Sequence, residues 1–251
     1  MHFKKRKRHL SVRDLAAIRG SAEIAINQRI HVLEGIRAYA SINPEMTKQQ
    51  FADLSANVMN NTDGIRSVTS IKDNIINDVY PLEGSEGAIG IDLLKHPAQR
   101  SNALHAITTG KPWLADPIGL AQVGEAFIHR APFYVTNPGG VPGGGPYWGL
   151  VSMVIDKNAL NQNILESVPE GLRIAIRSRN SRNEPSEFSL GNRSIVEQSP
   201  LETEMSLPTG SWQLHGVPEK GWPTKSPLSA QIRTVRFCVS LSLSLSLSLS
   251  L

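Results

Sequence analysis

Cysteine is almost absent from this sequence, and long apolar runs are missing altogether. Cys238 is the single cysteine in 251 residues, which excludes disulfide bonds and zinc sites built from several thiolates within the chain. No stretch reaches the roughly 20 apolar residues that a membrane helix needs. No apolar segment follows the basic start either, as a signal peptide would require. We therefore predict that the chain as given neither spans nor crosses a membrane.

An excess of positive charge is also missing once the first residues are set aside. The chain has a formal net charge of +4, but residues 4–8 are all basic, and the remainder is close to neutral. A nearly neutral chain offers no broad basic face, so a nucleic-acid partner is not expected. We predict that residues 1–9 form a disordered, solvated start. A tether to anionic lipid and a wrongly assigned start are the alternatives.

Sequence motifs of catalysis and of cofactor binding are missing as well. The seven histidines include no His-Glu-x-x-His pair, and no Gly-x-Ser-x-Gly turn presents a nucleophile. The glycine-rich loop at 137–146 lacks Gly-Lys-Ser/Thr and a following helix, so we predict a flexible hairpin connection and no phosphate site. His105 and His129 are predicted on the surface of a helix and of a strand. No cofactor, metal or catalytic residue is expected.

The end of the chain is of low complexity. Serine and leucine alternate strictly from Ser240 to Leu251. Such an alternation formally suits an amphipathic strand, yet an uninterrupted repeat of two residues indicates a biased segment without a packed core. We predict that residues 224–251 are disordered or the product of a frameshift. An interfacial membrane anchor is the alternative, against which the many serines and the missing basic or aromatic anchors argue.

The pattern of the remaining residues predicts helices first. Ile18 and Leu33 belong to an apolar series at intervals of three or four residues, which predicts one long amphipathic helix as far as about Tyr39. Thr47 and Gln50 then form a capping box that predicts a second, shorter helix.

From about Ile71 the sequence changes to short strands broken by glycine and proline. A third helix is predicted between Pro97 and Gly110, followed by two strand-like runs, the glycine-rich loop and a short helix that Asp156 caps. Further strands follow around a turn at residues 209–210. This order, a long helix and then mixed strands and helices, predicts an α+β architecture.

One carboxylate is distinguished by its surroundings. Residues 79–94 pass from an apolar strand through glycine-spaced turns to Asp92, whose neighbours Ile91 and Leu93 indicate partial burial. A half-buried carboxylate needs a hydrogen-bond donor, because leaving it unpaired is costly. Two interpretations are open at this point. Asp92 caps the turn or helix that begins near Lys95, or it accepts hydrogen bonds from a small ligand.

Five segments in sequence order resemble the CHASE domain, the extracytoplasmic sensory module of receptor histidine kinases, diguanylate cyclases and adenylyl cyclases. They are VYPLEGSEGAIGIDLL, TTGKPWLADPIGL, AFIHRAPFY, YWGLVSMVID and LPTGSWQLHGVPEKGWP. The resemblance covers about residues 30–223. It implies a long N-terminal stalk helix followed by two PAS-like subdomains, each with an antiparallel sheet.

The resemblance also implies a division of the chain. Residues 10–70 would form the stalk and its flanking helices, residues 71–168 the membrane-distal, ligand-binding subdomain, and residues 169–223 the membrane-proximal subdomain. Two identical chains are expected to pair as a homodimer through the stalk helix.

The resemblance points to a ligand site in the distal subdomain. In the plant members an aspartate accepts hydrogen bonds from an adenine-type hormone, and Asp92 resembles it. Thr109 matches the threonine of the family's Thr-Gly step, and Leu114 resembles a leucine of the same pocket. Ser85 and Ile91 depart from the Asn and His that are common in bacterial-type members, so the ligand is described only as a small molecule, purine-like or peptide-like. Candidates for the pocket walls, or simply for the core, are Phe127, Phe133 and Trp148.

The resemblance implies a membrane receptor as the parent protein. Family members have a membrane helix on each side of the sensor and a cytoplasmic output domain, none of which the chain contains as given. We therefore expect a periplasmic or extracellular small-molecule-binding fragment without catalysis of its own, whose parent is a histidine kinase or a diguanylate cyclase. The alternatives are a purely structural dimerisation module with a collapsed pocket and an unrecognised hydrolase.

Overall fold

The computed structural model describes residues 12–120, 124–179 and 184–222, and these contain four α-helices, two short 3-10 helices and nine strands. The α-helices are α1 Val12–Ile42, α2 Lys48–Asn60, α3 Arg100–Thr109 and α4 Lys157–Glu166. The 3-10 helices cover Glu86–Ala88 and Arg193–Gln198. The predictions for residues 1–9 and 224–251 lie outside the described residues.

The two N-terminal helices form as the sequence predicts, and α1 continues a little further, to Ile42. Its buried side chains, such as Ile18 and Leu33, recur every three or four residues because one stripe faces the sheets. At the start of α2, the N–H of Gln50 donates to Oγ1 of Thr47 (3.2 Å), and the N–H of Thr47 donates to Oε1 of Gln50 (2.8 Å). In the described part of the chain, no helix is long and apolar enough to cross a membrane.

The first sheet has five antiparallel strands in the order β2-β1-β5-β4-β3. They are β1 Ile65–Lys72, β2 Ile75–Tyr80, β3 Trp113–Leu120, β4 Gly124–Tyr134 and β5 Tyr147–Asp156. The glycine-rich loop connects β4 to β5 as a hairpin. The sheet begins at Ile65, before the predicted boundary at residue 71, because β1 pairs with both β2 and β5.

The second sheet has four antiparallel strands in the order β7-β6-β9-β8. They are β6 Leu172–Arg179, β7 Pro185–Leu190, β8 Leu201–Leu207 and β9 Gly210–Pro218. The predicted turn at residues 209–210 connects β8 to β9. The sequence does not predict β7, because its serines and glutamate hide the usual alternation of apolar and polar side chains.

Two further helix ends agree with the sequence. α3 begins at Arg100, somewhat after the predicted start at Pro97, and stops before Gly110. The φ angle of Gly110 is 64°, a left-handed conformation that glycine adopts without strain. α4 begins where Oδ1 of Asp156 accepts the N–H of Ala159 (2.8 Å).

The first sheet buries both of its faces. One face, which we name the stalk face, shares a hydrophobic core with α1 and the second sheet, and this core includes Leu33 and Phe127. The other face, which we name the α3 face, packs under α3 and the loop at 81–99, with Leu150 and Ala106 in its core. α1 contacts both sheets, because it lies against β4 and β5 as well as β8.

Candidate functional site

The α3 face carries a row of polar and aromatic side chains. Thr69 on β1, Ser152 on β5, Arg130 on β4 and Trp113 on β3 lie opposite one another in the strand registers. Residues directly opposite each other across antiparallel strands point to the same side of the sheet. Leu150 alternates onto that same side of β5 and packs under α3, so the whole row lies on the α3 face.

The loop at 81–99 is hydrogen-bonded to β2 and brings Asp92 to the edge of this face. The N–H of Gly90 donates to the carbonyl oxygen of Ile76 (2.8 Å), and the N–H of Ile76 donates to the carbonyl oxygen of Ile91 (3.0 Å). Asp92 itself lies opposite Ile75 in an isolated antiparallel bridge. These backbone contacts place Asp92 beside β2, the edge strand of the first sheet.

Asp92 caps the turn that follows it. Oδ1 accepts the N–H of Leu94 (3.0 Å), and Oδ2 lies 3.1 Å from Nζ of Lys95. The hydrogen bond from Lys95 and that from Leu94 hold the pKa of the Asp92 carboxyl below its usual range. The side chain is 25% exposed. Its two oxygens can together accept about four hydrogen bonds, so acceptor capacity remains beyond these contacts.

Thr109 and Trp148 both lie at least partly in solvent. Thr109 is the exposed last residue of α3, and its Oγ1 donates to the carbonyl oxygen of His105 (2.7 Å). Trp148, on β5, stacks on Phe133 with ring centroids 4.8 Å apart. The buried Nε1 of Trp148 has no hydrogen-bond partner among the described residues. Trp148 therefore keeps one unused donor beside an aromatic stack.

Leu114, Phe127 and Phe133 belong to the stalk face. Each is at most 2% exposed and lies in the core that contains α1. Leu93, the neighbour of Asp92, belongs instead to the core of the α3 face. The six predicted site residues therefore do not line one cavity. The packing supports the core interpretation of Phe127 and Phe133, and the side chain of Leu114 points away from the α3 face.

The prediction that His129 lies on a strand surface is wrong, because the side chain is fully buried. His129 lies opposite Leu114 and Met153, which places it on the stalk face. Its Nδ1 is 3.2 Å from the carbonyl oxygen of Trp113, and its Nε2 has no partner among the described residues. Burial lowers the pKa of His129 to about 4, so the imidazole is neutral at pH 7.

We expect His129 to make the fold sensitive to acid. The unfolded chain takes up the proton near the ordinary pKa of 6.5, and the folded chain only near 4. His129 thus contributes stability that is fully present above pH 6.5 and is lost as the pH falls to about 4. The loss is about 3 kcal/mol at about 1.4 kcal/mol per pKa unit. Urea unfolding at several pH values measures it.

The variant His129→Leu isolates this contribution. Burial also lowers the pKa values of His105 and His215, so only the difference between wild type and variant reports on His129. The free energy of unfolding of the variant should fall less steeply between pH 6.5 and 4. An equal slope in both proteins would show that His129 takes no part in the acid sensitivity.

The sequence does not single out Arg130, which lies in the middle of the α3 face. The residue is 2% exposed, and its Nη2 donates to Oε1 of Gln99 (2.6 Å), the residue before α3. Burial lowers the pKa of Arg130 to about 10. The available signal is the position of an arginine within a strand whose other residues from 126 to 134 are apolar except for His129.

A groove of about 220 Å³ lies between the two sheets. At its wall, Asp116 on β3 accepts hydrogen bonds from the hydroxyls of Ser178 on β6 and Ser186 on β7. Lys157 and Glu125 form an ion pair of 2.6 Å beside it. Within the described ranges, no group of three or more His, Cys, Asp or Glu residues could hold a metal ion. The two hydrogen bonds of Asp116 connect β3 of the first sheet to β6 and β7 of the second sheet.

Comparison with protein families gives one match. A family model described as the CHASE domain matches residues 31–188. This range contains the first sheet, α3 and the loop that presents Asp92. No curated protein matches the sequence.

Solved structures of sensory domains share the fold at low sequence identity. The extracellular ligand binding receptor from Desulfohalobium retbaense has a TM-score of 0.60 at 13% identity; the similarity covers 81% of this chain and 39% of that one. The ligand-binding domain of the Pseudomonas aeruginosa amino acid chemoreceptor PctC, in complex with GABA, has a TM-score of 0.57 at 13% identity, covering 81% and 95%. The ligand-binding domain of the Pseudomonas fluorescens chemoreceptor CtaA, in complex with L-serine, has a TM-score of 0.59 at 13% identity, covering 82% and 94%.

These similarities confirm the predicted fold class, an α+β architecture with a long N-terminal helix and two PAS-like antiparallel sheets. The chain spans 39% of the length of the Desulfohalobium receptor, and nearly the whole length of the two chemoreceptor domains.

Proposed function

The chain belongs to the CHASE domain family, and from that premise we propose that it is the small-molecule-binding part of a membrane receptor. The ligand would bind at the α3 face of the first sheet. Binding would change the position of α1, and the chain itself would catalyse no reaction. The parent protein would be a histidine kinase or a diguanylate cyclase whose sensory domain is periplasmic or extracellular.

The observation that carries the proposal is the position of the Asp92 loop within the matched range. The loop is hydrogen-bonded to β2, covers the α3 face together with α3, and presents a carboxylate with spare acceptor capacity. PctC and CtaA, which share this fold, were solved with GABA and with L-serine. A small ligand with N–H groups would suit Asp92, with Thr109 at the rim of the same face.

A ligand can shift the conformation of the chain only by its differential affinity for two states. α1 contacts both sheets, so a change in the first sheet would reach the second sheet through this helix. The helix would then carry the signal towards the membrane.

Thermal shift measurements with adenine and the standard L-amino acids test the proposal. A probe at about 100 times its Kd should raise the Tm of the wild type by about 5 °C or more. Asp92→Ala should reduce this rise, because the carboxylate that accepts the ligand's N–H groups is removed. The substitution also removes the cap on Leu94, so the Tm without ligand should fall as well.

Asp92→Asn is the matched control for the cap. Its amide oxygen can still accept the N–H of Leu94, so the Tm without ligand should stay near that of the wild type. The charge and the pairing with Lys95 are lost, and binding should weaken. If Asp92→Ala binds the probe as tightly as the wild type, Asp92 is only a cap.

Pairing of two chains through α1 is the second part of the proposal. Exposed positions on α1 recur at heptad spacing, as at Ala17, Ile24, His31 and Ala38. These positions follow one line along the side of α1 that faces away from the sheets, and a second copy of α1 would lie along that line. A parallel homodimer would bring two signalling helices to the same membrane.

A structural dimerisation module is the alternative function, and the same exposed side of α1 suits it. It predicts a dimer that forms with increasing protein concentration while no probe raises the Tm. Sedimentation velocity, measured beside the thermal shifts, separates the two functions.

A further inference from the structure

Arg130 is a buried cation in the middle of the first sheet. It lies on β4, with β5 on one side and β3 on the other, and it is 2% exposed. With a pKa of about 10 it remains charged at pH 7. Its side chain lies on the α3 face, the face that is also covered by the loop of Asp92.

The protein leaves most of the hydrogen-bonding capacity of this guanidinium unused. An arginine has five N–H donors, and within the described residues Arg130 uses one of them, with Gln99. Its buried Nε has no partner there. None of the described Asp or Glu side chains forms an ion pair with it. A neutral amide oxygen is therefore its single polar partner in the described part of the chain.

A buried charge without a counter-ion destabilises a folded protein, and a bound ligand of opposite charge would relieve that cost. A planar guanidinium matches a carboxylate, because two parallel N–H groups can donate to its two oxygens.

We propose that Arg130 binds the carboxylate of the sensed molecule, so that the ligand is a small organic carboxylate. This inference rests on the proposed ligand-binding function and names the chemical class of the ligand. The carboxylate would replace the amide oxygen of Gln99 on Nη2 and would also accept the N–H of Nε.

The neighbours of Arg130 suit such a ligand. Ser152 lies directly opposite Arg130, and Thr69 lies opposite Ser152, so two hydroxyl groups lie on the same face. On the other side, Trp113 lies opposite Arg130, and its ring packs on that of His105 in α3 with centroids 4.3 Å apart. Hydroxyl groups and an aromatic side chain on the same face as one charged group would suit a small ligand.

A second buried arginine in the same chain gives the contrast. Arg29 on α1 is 3% exposed; its Nη1 donates to the carbonyl oxygen of Ala25 (2.7 Å) and its Nη2 to Oδ1 of Asn163 (2.6 Å). The charge of Asp63 also acts on it. The Nε of Arg29, like that of Arg130, has no partner among the described residues. Arg29 nevertheless has two protein acceptors and a nearby opposite charge, so it serves as the structural control for Arg130.

Binding is tested with L-valine, γ-aminobutyrate and succinate, each beside its carboxamide analogue and beside adenine. Isothermal titration of the wild-type chain should detect a carboxylate that binds at least tenfold more tightly than its amide. Arg130→Met should weaken that binding at least tenfold. Arg130→Lys should weaken it as well, because an ammonium cannot donate two parallel hydrogen bonds.

A second measurement needs no ligand. If the role of Arg130 is to bind a carboxylate ligand, its charge does not stabilise the free protein. Arg130→Met should then leave the Tm of the free protein unchanged or raise it by a few degrees. Arg29→Met should lower the Tm, since it removes an arginine whose bonds stabilise the fold. A clear drop in Tm for Arg130→Met, equal to that for Arg29→Met, would show a structural role and overturn the inference.

The remaining outcomes separate the inference from the proposed function. Binding of adenine without binding of any carboxylate would overturn the inference and leave the proposed sensory function standing. Equal affinity for a carboxylate and its amide, or unchanged affinity in Arg130→Met, would overturn the inference in the same way. Binding of none of the probes would count against both.

Discussion

Gly149→Ala should destabilise the fold by about 4 kcal/mol, although it adds a single methyl group. Gly149 is on β5, between β1 and β4. A Cβ built there would overlap the carbonyl oxygen of Ile71 and lie 3.1 Å from its carbonyl carbon. Both atoms belong to the backbone of the neighbouring strand, which cannot move away without breaking its pairing with β5. Overpacking of this kind causes one of the larger losses of stability that a single substitution can produce.

The same substitution at Gly20 should have the opposite sign. Gly20 is in the middle of α1, and a Cβ built there meets no atom within 4 Å. Alanine favours a helix over glycine by about 1 kcal/mol, so Gly20→Ala should stabilise the protein. Urea unfolding of both variants measures the two effects. Equal stability of Gly149→Ala and the wild type would mean that β1 and β5 are not packed as described.

Phe127→Ala should lower the free energy of unfolding by about 4 kcal/mol. Phe127 is fully buried on β4, and its ring stacks on that of Trp212 on β9 with centroids 5.4 Å apart. This contact joins the first sheet to the second across the core that α1 shares. Removing the ring leaves a cavity in that core, and cavities left by buried aromatic rings cost about 3–5 kcal/mol. Chemical denaturation monitored by the fluorescence of the four tryptophans, one of which is Trp212, measures the loss.

Phe127→Leu provides the control, since leucine retains much of the apolar volume. We expect a smaller loss of stability and an unchanged affinity for any ligand, because the side chain faces α1 and not the α3 face. If Phe127→Leu keeps its stability but loses ligand affinity, Phe127 is a pocket wall after all.

Features that depend on residues close together in the sequence could be predicted. The long helix follows from the spacing of residues such as Ile18 and Leu33, and the start of α2 from Thr47 and Gln50. The end of α3 follows from the glycine at position 110. The order of five segments, in turn, carries the family resemblance and with it the two-sheet fold.

Features that depend on strand register could not be predicted. Arg130 and Gln99 are far apart in the sequence, and their contact requires β4 to turn the arginine towards α3. One step along the strand, His129 faces α1, because successive side chains of a strand alternate between its faces. The same alternation decides that Phe127 belongs to the core shared with α1.

The sequence predicts the contacts of the candidate site only where both partners are close together in the chain. The capping of Leu94 and the pairing with Lys95 lie within three residues of Asp92, and both follow from the turn that the sequence suggests. The row formed by Thr69, Ser152 and Arg130 comes from three different strands. Its members become neighbours only once the sheet order is known.

The packing of α1 against both sheets restricts how the family can vary in length. A single residue inserted into an α-helix rotates everything beyond it by about 100° and shifts it by about 1.5 Å. Inside α1, such an insertion would rotate the buried side chains before it, such as Ile18, out of line with those after it, such as Leu33, so that they could no longer all face the sheets. Natural relatives should therefore tolerate substitutions in α1 far better than insertions or deletions, and should place changes of length in loops such as 135–146.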